Sequence, residues 1–268
     1  KENTNITTQT LSEQYIDTGN PFLQKTHNYE NTNLTNVSLD YAHPLNGKGI
    51  IETGYKTILR FLDNDFLRSS QLNGGYVTDM PNTDIFNFNE QIHAAYLLYT
   101  GWKGEKTTPN WKYSLGLRAE QVWNNGGGKI SGLNFKNDYF NLFPSASLVY
   151  YTEERNMLRF AYSKRINRPT FGQLIPFTDI TDSLNQRAGN PNLKPELAHS
   201  MELSYNHSFK KGDFTTSVFY RKTSNVILPF TILDSNGVAF TQPQNFGNGT
   251  TYGLEGIFSY NPLKFWSL

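Results

Sequence analysis

Apolar and polar residues alternate along most of this chain. Over 111–121, Trp111, Tyr113, Leu115, Leu117 and Ala119 fall on one side, with Lys112, Ser114, Gly116, Arg118 and Glu120 on the other. Over 157–165, Leu158, Phe160 and Tyr162 oppose Arg159, Ala161, Ser163 and Arg165. Met201, Leu203 and Tyr205 oppose Ser200, Glu202, Ser204 and Asn206, and Phe214, Val218 and Tyr220 oppose Thr215, Ser217 and Arg221. A period of two held over roughly ten residues predicts strands with one apolar and one polar face. About nine such strands are expected, near 34–43, 51–61, 88–101, 111–121, 139–151, 157–165, 197–209, 213–223 and 250–260, and a tenth begins at Lys264–Leu268.

The connections alternate as well. Short turns are expected at 43–49, 102–111, 152–156, 210–213 and 261–264, and long polar segments at about 63–87, 124–138, 166–196 and 225–249. Every short turn then lies at one end of the sheet and every long loop at the other. The strands exceed the about five to six residues usual in soluble proteins. They match the about 9–11 that a tilted strand needs to cross a bilayer. Aromatic residues such as Tyr41, Trp102, Trp111, Tyr150, Phe209 and Tyr260 flank the short turns, where an interfacial girdle sits.

These patterns predict an all-β fold: an up-and-down antiparallel transmembrane β-barrel of a bacterial outer membrane, here a partial segment of about nine to ten strands. Apolar side chains face lipid in this reading, and charged ones line a wet lumen where they cost little. A soluble long-stranded sandwich has to bury or waste a full face of Arg, Lys and Glu. Residues 1–268 are read as part of one barrel domain, with 1–32 as an outer loop leading into the first strand.

Composition narrows the function. Aromatics make up 15% of the chain but hydrophobic residues only 37%, a balance that suits β structure with polar loops. The formal net charge of +1 offers no basic field for nucleic acid. With no Cys there is no thiolate nucleophile, no Cys-ligated metal and no disulfide. No apolar run approaches the about 18 residues of a membrane helix, which leaves barrel strands open.

Enzyme and metal chemistry find little support. WNNGGGKIS (123–131) lacks the spacing of a phosphate loop and reads as a flexible loop tip. LDNDFLRS (62–69) and LDSNGVA (233–239) carry acids at alternate positions but complete no calcium loop, so turns are expected there. His27, His43, His93, His199 and His207 are scattered without metal-ligand spacing, and His199 and His207 read as interfacial side chains. No catalytic residue, cofactor or metal site is expected. The charged residues expected to line the lumen are Arg118, Glu120, Arg159, Arg165, Glu202, Arg221 and Glu255.

The stretch GNPNLKPE (189–196) runs into an alternating strand containing MELSY, about twenty residues after the Arg168–Pro169 step of YSKRINRPTFGQLIPF. Together they resemble the hallmark of TonB-dependent outer-membrane receptors. LDYAHPLNGKGIIETGYK (39–56) is similar to the Bacteroidota-type outer membrane protein β-barrel family. The resemblance implies the C-terminal part of a 22-stranded barrel closed by an N-terminal plug domain that is absent from this chain. It implies energised uptake of a scarce nutrient (siderophore, glycan, peptide or vitamin). The implied partners are outer-membrane lipid, the TonB complex through the missing plug region and, over the outer loops, a surface lipoprotein. A passive porin or a structural platform without TonB coupling is the alternative.

Physical chemistry gives the motif a structural role. Pro191 and Pro195 fix φ and push Asn190 and Lys194 towards extension. Gly189 tolerates positive φ, and Pro195, lacking an amide hydrogen, suits a strand's start. Arg168, Pro169, Gly189, Asn190, Pro191, Asn192, Leu193, Lys194, Pro195 and Glu196 are read as a rigid seat that returns the chain to the barrel wall. Within it, Glu196 is expected to pair with Arg168 or Arg187. Phe171, Phe177, Phe230 and Phe246 are candidate loop contacts for a substrate.

Overall fold

The computed structural model describes residues 2–14, 22–47, 49–72, 74–80, 83–105, 109–152, 156–179, 182 and 184–261, of which 2–14 and 22–24 are described as backbone alone. The elements in chain order are β1 (Glu2–Gln14), β2 (Phe22–Pro44), β3 (Gly49–Leu72), β4 (Gly75–Thr78), β5 (Asp84–Gly104), β6 (Pro109–Gly128), β7 (Asn134–Tyr151) and β8 (Asn156–Asn167). A single helical turn α1 (Phe171–Leu174) follows, then β9 (Thr178–Asp179), β10 (Asn185–Ala188), β11 (Glu196–Phe209), β12 (Gly212–Leu233) and β13 (Ala239–Tyr260).

All thirteen strands belong to one sheet, and the long ones lie side by side in chain order from β1 to β13. Each long neighbour pair is antiparallel. That is the up-and-down order expected from alternating short and long connections. Among the described residues the one parallel pairing is short: Asn185–Arg187 of β10 run beside Ala239–Thr241 of β13. Asn46 (φ 33°) and Gly47 (φ 78°) turn β2 into β3, the left-handed conformations that favour Asn-Gly in tight hairpins.

The register sets the period-two faces into continuous rows. One row runs Leu39, Tyr55, Ala95, Ala119, Leu142. Another runs Tyr113, Leu148, Phe160, Leu203, Val218, Leu254. These rows are open to the surroundings: Leu39 and Leu254 are each 74% exposed. Alternate positions over 111–123 and 140–150 on this outward face carry no Asp, Glu, Lys or Arg. An apolar surface spread over this many strands far exceeds the few hundred Å² that soluble monomers tolerate, and it matches a lipid-facing band. Trp111–Tyr150 (centroids 4.4 Å apart) mark its lower edge near the short turns. His93–Trp123 (5.2 Å) mark its upper edge. Trp111 and Trp123 are separated by about 40 Å of strand, which a strand tilt of about 40° reduces to about 30 Å along the membrane normal.

The strands run well past that upper edge. Three of the four segments expected as long polar loops are mostly ladder: β3 continues to Leu72, β6 to Gly128 and β12 to Leu233, each paired with its neighbour. LDNDFLRS therefore lies within β3 and not in a turn, and the triple glycine lies at the end of β6 and not at a loop tip. The connection there is only 129–133. Residues 1–32 likewise are not a loop over their described part: β1 pairs with β2 from Glu2↔Leu34 to Gln14↔Phe22. Above the lipid band both faces meet water, so ladder hydrogen bonds persist while the hydrophobic alternation that reveals a strand is lost. The tenth long strand is thus β1, and the strand expected from Lys264 lies outside the described residues.

Candidate functional site

Among the described residues only the segment between β8 and β11 leaves the ladder for long, and it folds over the face opposite the lipid rows. Phe171, Leu174, Phe177 and Leu193 from this segment pack with Leu62 of β3, Phe86 and Phe88 of β5, Phe135 of β7 and Ile227 of β12. Phe177 meets Phe86 edge-on at 5.5 Å and stacks on Phe66 at 6.2 Å. Leu193 and Phe86 are fully buried. The cluster draws on both flanks of the sheet, so this is the inner face of the curved wall.

The motif residues hold the segment in place. A Cβ on Gly189 would overlap the carbonyl oxygens of Ile175 and Gln173, so the chain approaches as closely as it does because this residue is glycine. The Gly189 and Asn190 amides donate to those carbonyls at 2.8 and 2.6 Å. The Asn190 Oδ1 accepts from the Asn192 amide at 3.0 Å, and its Nδ2 donates to the Pro243 carbonyl at 3.1 Å. Asn245 grips the Lys194 backbone at both amide and carbonyl, 2.8 and 2.9 Å. Asn137 donates to the Leu193 carbonyl at 2.7 Å. Pro195 is buried where β11 begins.

Glu196 does not pair with Arg168 or Arg187. Its Oε1 accepts from the Ile227 amide at 2.7 Å and its Oε2 from Asn167 Nδ2 at 2.8 Å. Asn225 is at φ 57°, and no alternation in the sequence marks the kink beside which Glu196 finds its backbone donor. Arg168 instead reaches Glu120, which also binds Arg118 Nε at 2.5 Å. Glu120 is buried, and two guanidiniums offset its desolvation.

Arg118, Glu120, Arg159, Arg165, Glu202, Arg221 and Glu255 all fall on the inner-face phase of their strands, as the register relates them. Arg118 and Glu120 come together. Arg165 and Arg221 flank β11 beside Glu196 and line a pocket of about 300 Å³. Arg159, Glu202 and Glu255 are exposed and join no ion pair among the described residues.

Three inner-face groups are not among the charged residues expected to line the lumen. Arg60 pairs with Glu90 at 3.0 Å, directly across β3 and β5; their place on the polar phase is the signal that marks them. Asp84 is buried and accepts from the Ile130 amide at 2.8 Å and from Ser131, closing the β6–β7 turn. Arg68 is buried with Asp79 at 3.6 Å. Burial pulls its guanidinium below the usual range, and the carboxylates of Asp79 and Asp179 oppose that shift.

Between the segment and the upper ends of β2 and β3 lies a cavity of about 330 Å³, lined among others by Glu30, Phe66, Phe177, Asp179 and Arg187. Phe171 and Phe177 are committed to the cluster, whereas Phe230 and Phe246 form an exposed pair at 5.9 Å on the β12–β13 extension. The histidines fall on the outward-face phase, and two of them meet tyrosines: His93 with Tyr55 Oη at 2.5 Å, His199 with Tyr162 Oη at 2.9 Å. Among the described residues no three His, Asp or Glu side chains gather as a metal site requires.

A largely apolar exterior, a charged interior and a sheet that ascends and descends strand by strand are the marks of a membrane barrel wall. The outer membrane protein beta-barrel family matches residues 1–268. The chain belongs to that family. Its fold is similar to that of the copper transporter OprC at 12% identity and TM-score 0.65, covering 92% of this chain and 37% of that one. It is similar to the ferric citrate transporter FecA at 16% identity and TM-score 0.59, covering 94% and 35%. The ferric yersiniabactin uptake receptor FyuA from Yersinia pestis follows at 12% identity and TM-score 0.52, covering 92% and 35%. The chain spans little more than a third of these proteins' length. No curated protein matches it. This family member is an outer-membrane protein.

Proposed function

We propose that this family member forms part of the wall of a TonB-dependent receptor, capturing a scarce nutrient at its outer ribbons and passing it through a plugged lumen. The observation that carries the reading is the segment 168–195, packed across the inner face beside a cavity whose walls combine Arg187, Asp179 and Glu30 with Phe66 and Phe177. Such a mix of charge and aromatic surface suits a polar solute with an apolar part, such as a siderophore, peptide or glycan. The motif residues hold the segment, and Arg165 and Arg221 extend the polar lining below it. A surface lipoprotein over the ribbons is a compatible partner.

The test is growth of a deletion strain on panels of single nutrients, with and without functional TonB. A nutrient defect that is reproduced by loss of TonB supports the proposal. Solute passage that continues without TonB supports the porin alternative. Replacing Arg187 by Glu should weaken uptake of the identified nutrient while leaving the barrel folded.

A further inference from the structure

Directly above the His93–Trp123 row, the outward face carries a groove of about 710 Å³ across four strands. Its walls come from Asp63 on β3, Asn87 and Asn89 on β5, Asn125 on β6 and Lys129 in the turn beyond. The missing side chain at Gly127 forms the floor, where a Cβ would overlap Asn134 Oδ1. Asp63 and Asn87 are hydrogen-bonded to each other. Asn89 Oδ1 is buried without a hydrogen-bond partner among the described residues, and leaving a buried acceptor unmatched costs about 1–3 kcal/mol.

We propose that this groove holds the phosphorylated saccharide headgroup of a glycolipid of the outer leaflet. Location argues for it. On each of these strands the groove residues continue the lipid-facing phase: Ala119, Gln121 and Trp123 lead into Asn125 and Gly127, and Phe140 leads through Asp138 towards Asn134. Whatever fills the groove therefore stands where acyl chains give way to headgroups. Chemistry argues for it too. Three amides and a carboxylate match sugar hydroxyls, each able to donate and accept. Lys129 supplies a cation for a phosphate, and Phe61 at the lower wall offers an apolar face. Phospholipid headgroups are too small and offer too few hydroxyls to use the whole groove. This site is independent of transport, since it lies on the far side of the wall from the lumen.

The test uses the full receptor extracted from outer membranes in mild detergent and titrated with rough lipopolysaccharide, with bound lipid read by native mass spectrometry. Wild type should retain glycolipid in preference to phosphatidylethanolamine. Asn89→Leu with Asn125→Leu should lower retention about fivefold or more, the loss of one or two hydrogen bonds. Lys129→Gln, on an exposed turn, should lower it about threefold for the lost charge contact, and it decides the matter if the double variant does not fold. Thr250→Leu, on the outward face of β13, should change nothing. Equal retention in wild type and Lys129→Gln overturns the proposal, as does phosphatidylethanolamine binding as well as glycolipid. Equal binding of the deacylated core oligosaccharide overturns the lipid assignment in favour of a soluble saccharide.

Discussion

Leu203 and Leu193 carry the same side chain in opposite settings. Leu203 is 48% exposed on the outward face of β11, within the band between the Trp111–Tyr150 and His93–Trp123 pairs. Leu193, in the upper segment, is fully buried on the inner face. Their neighbours follow suit. In the lower wall the exterior is aliphatic and aromatic while Arg118 and Glu120 point inward; in the upper wall Asp63, Asn89 and Asn125 point outward while Phe86, Phe88 and Leu62 point inward. One sheet thus reverses its polarity along its length because its outer solvent changes from hydrocarbon to water.

Charging the exterior should expose this reversal most sharply. Leu203→Arg should destabilise the protein in lipid vesicles by about 2–4 kcal/mol. The same change at Leu233, above the band and 68% exposed, should cost no more than about 0.5 kcal/mol. Urea titration of both variants checks this, and equal costs would break the comparison.

Emptying the upper interior comes next. Leu193→Ala should cost about 2–5 kcal/mol, but locally: proteases should cut within 168–195 while the barrel keeps its heat-resistant gel mobility. A variant whose whole barrel loses heat resistance would mean that the upper cluster holds up the lower wall.

The smallest effect concerns pH. The side chain of Asn185 and the amide of Leu184 hold the Asp182 carboxyl below its ordinary range. A depressed carboxylate pKa contributes order above the unfolded value and loses it as pH falls through the folded one. Hydrogen exchange at Leu184 and Asn185, corrected for intrinsic rates, should therefore quicken below about pH 4. No such change is expected at Phe160 in the wall.

The same reversal explains what could be read from residue order alone. Over 111–121 the alternation is strict because lipid tests every second side chain, and the strand was legible there. In LDNDFLRS and WNNGGG neither face is selected for oil, so β3 and β6 looked like loops where they continue as ladder. The polar phase placed Arg118, Glu120, Arg165 and Arg221 on a common face, because register follows from alternation. It could not reveal that Arg168 crosses to Glu120, or that Glu196 turns to the Ile227 amide. Those contacts depend on where a thirty-residue excursion comes to rest, and that is decided by shape fit among Phe171, Leu174, Phe177 and Leu193 rather than by periodicity.

The excursion grips β6 through Arg168, β7 through the Leu193 carbonyl and β13 through Asn190, Lys194 and β10. It therefore acts as a crossbar over the mouth, resisting any change in the separation of distant staves. If the proposed uptake is right, a cargo has to find its way round this fixed strut, and any widening has to come from some other moving part.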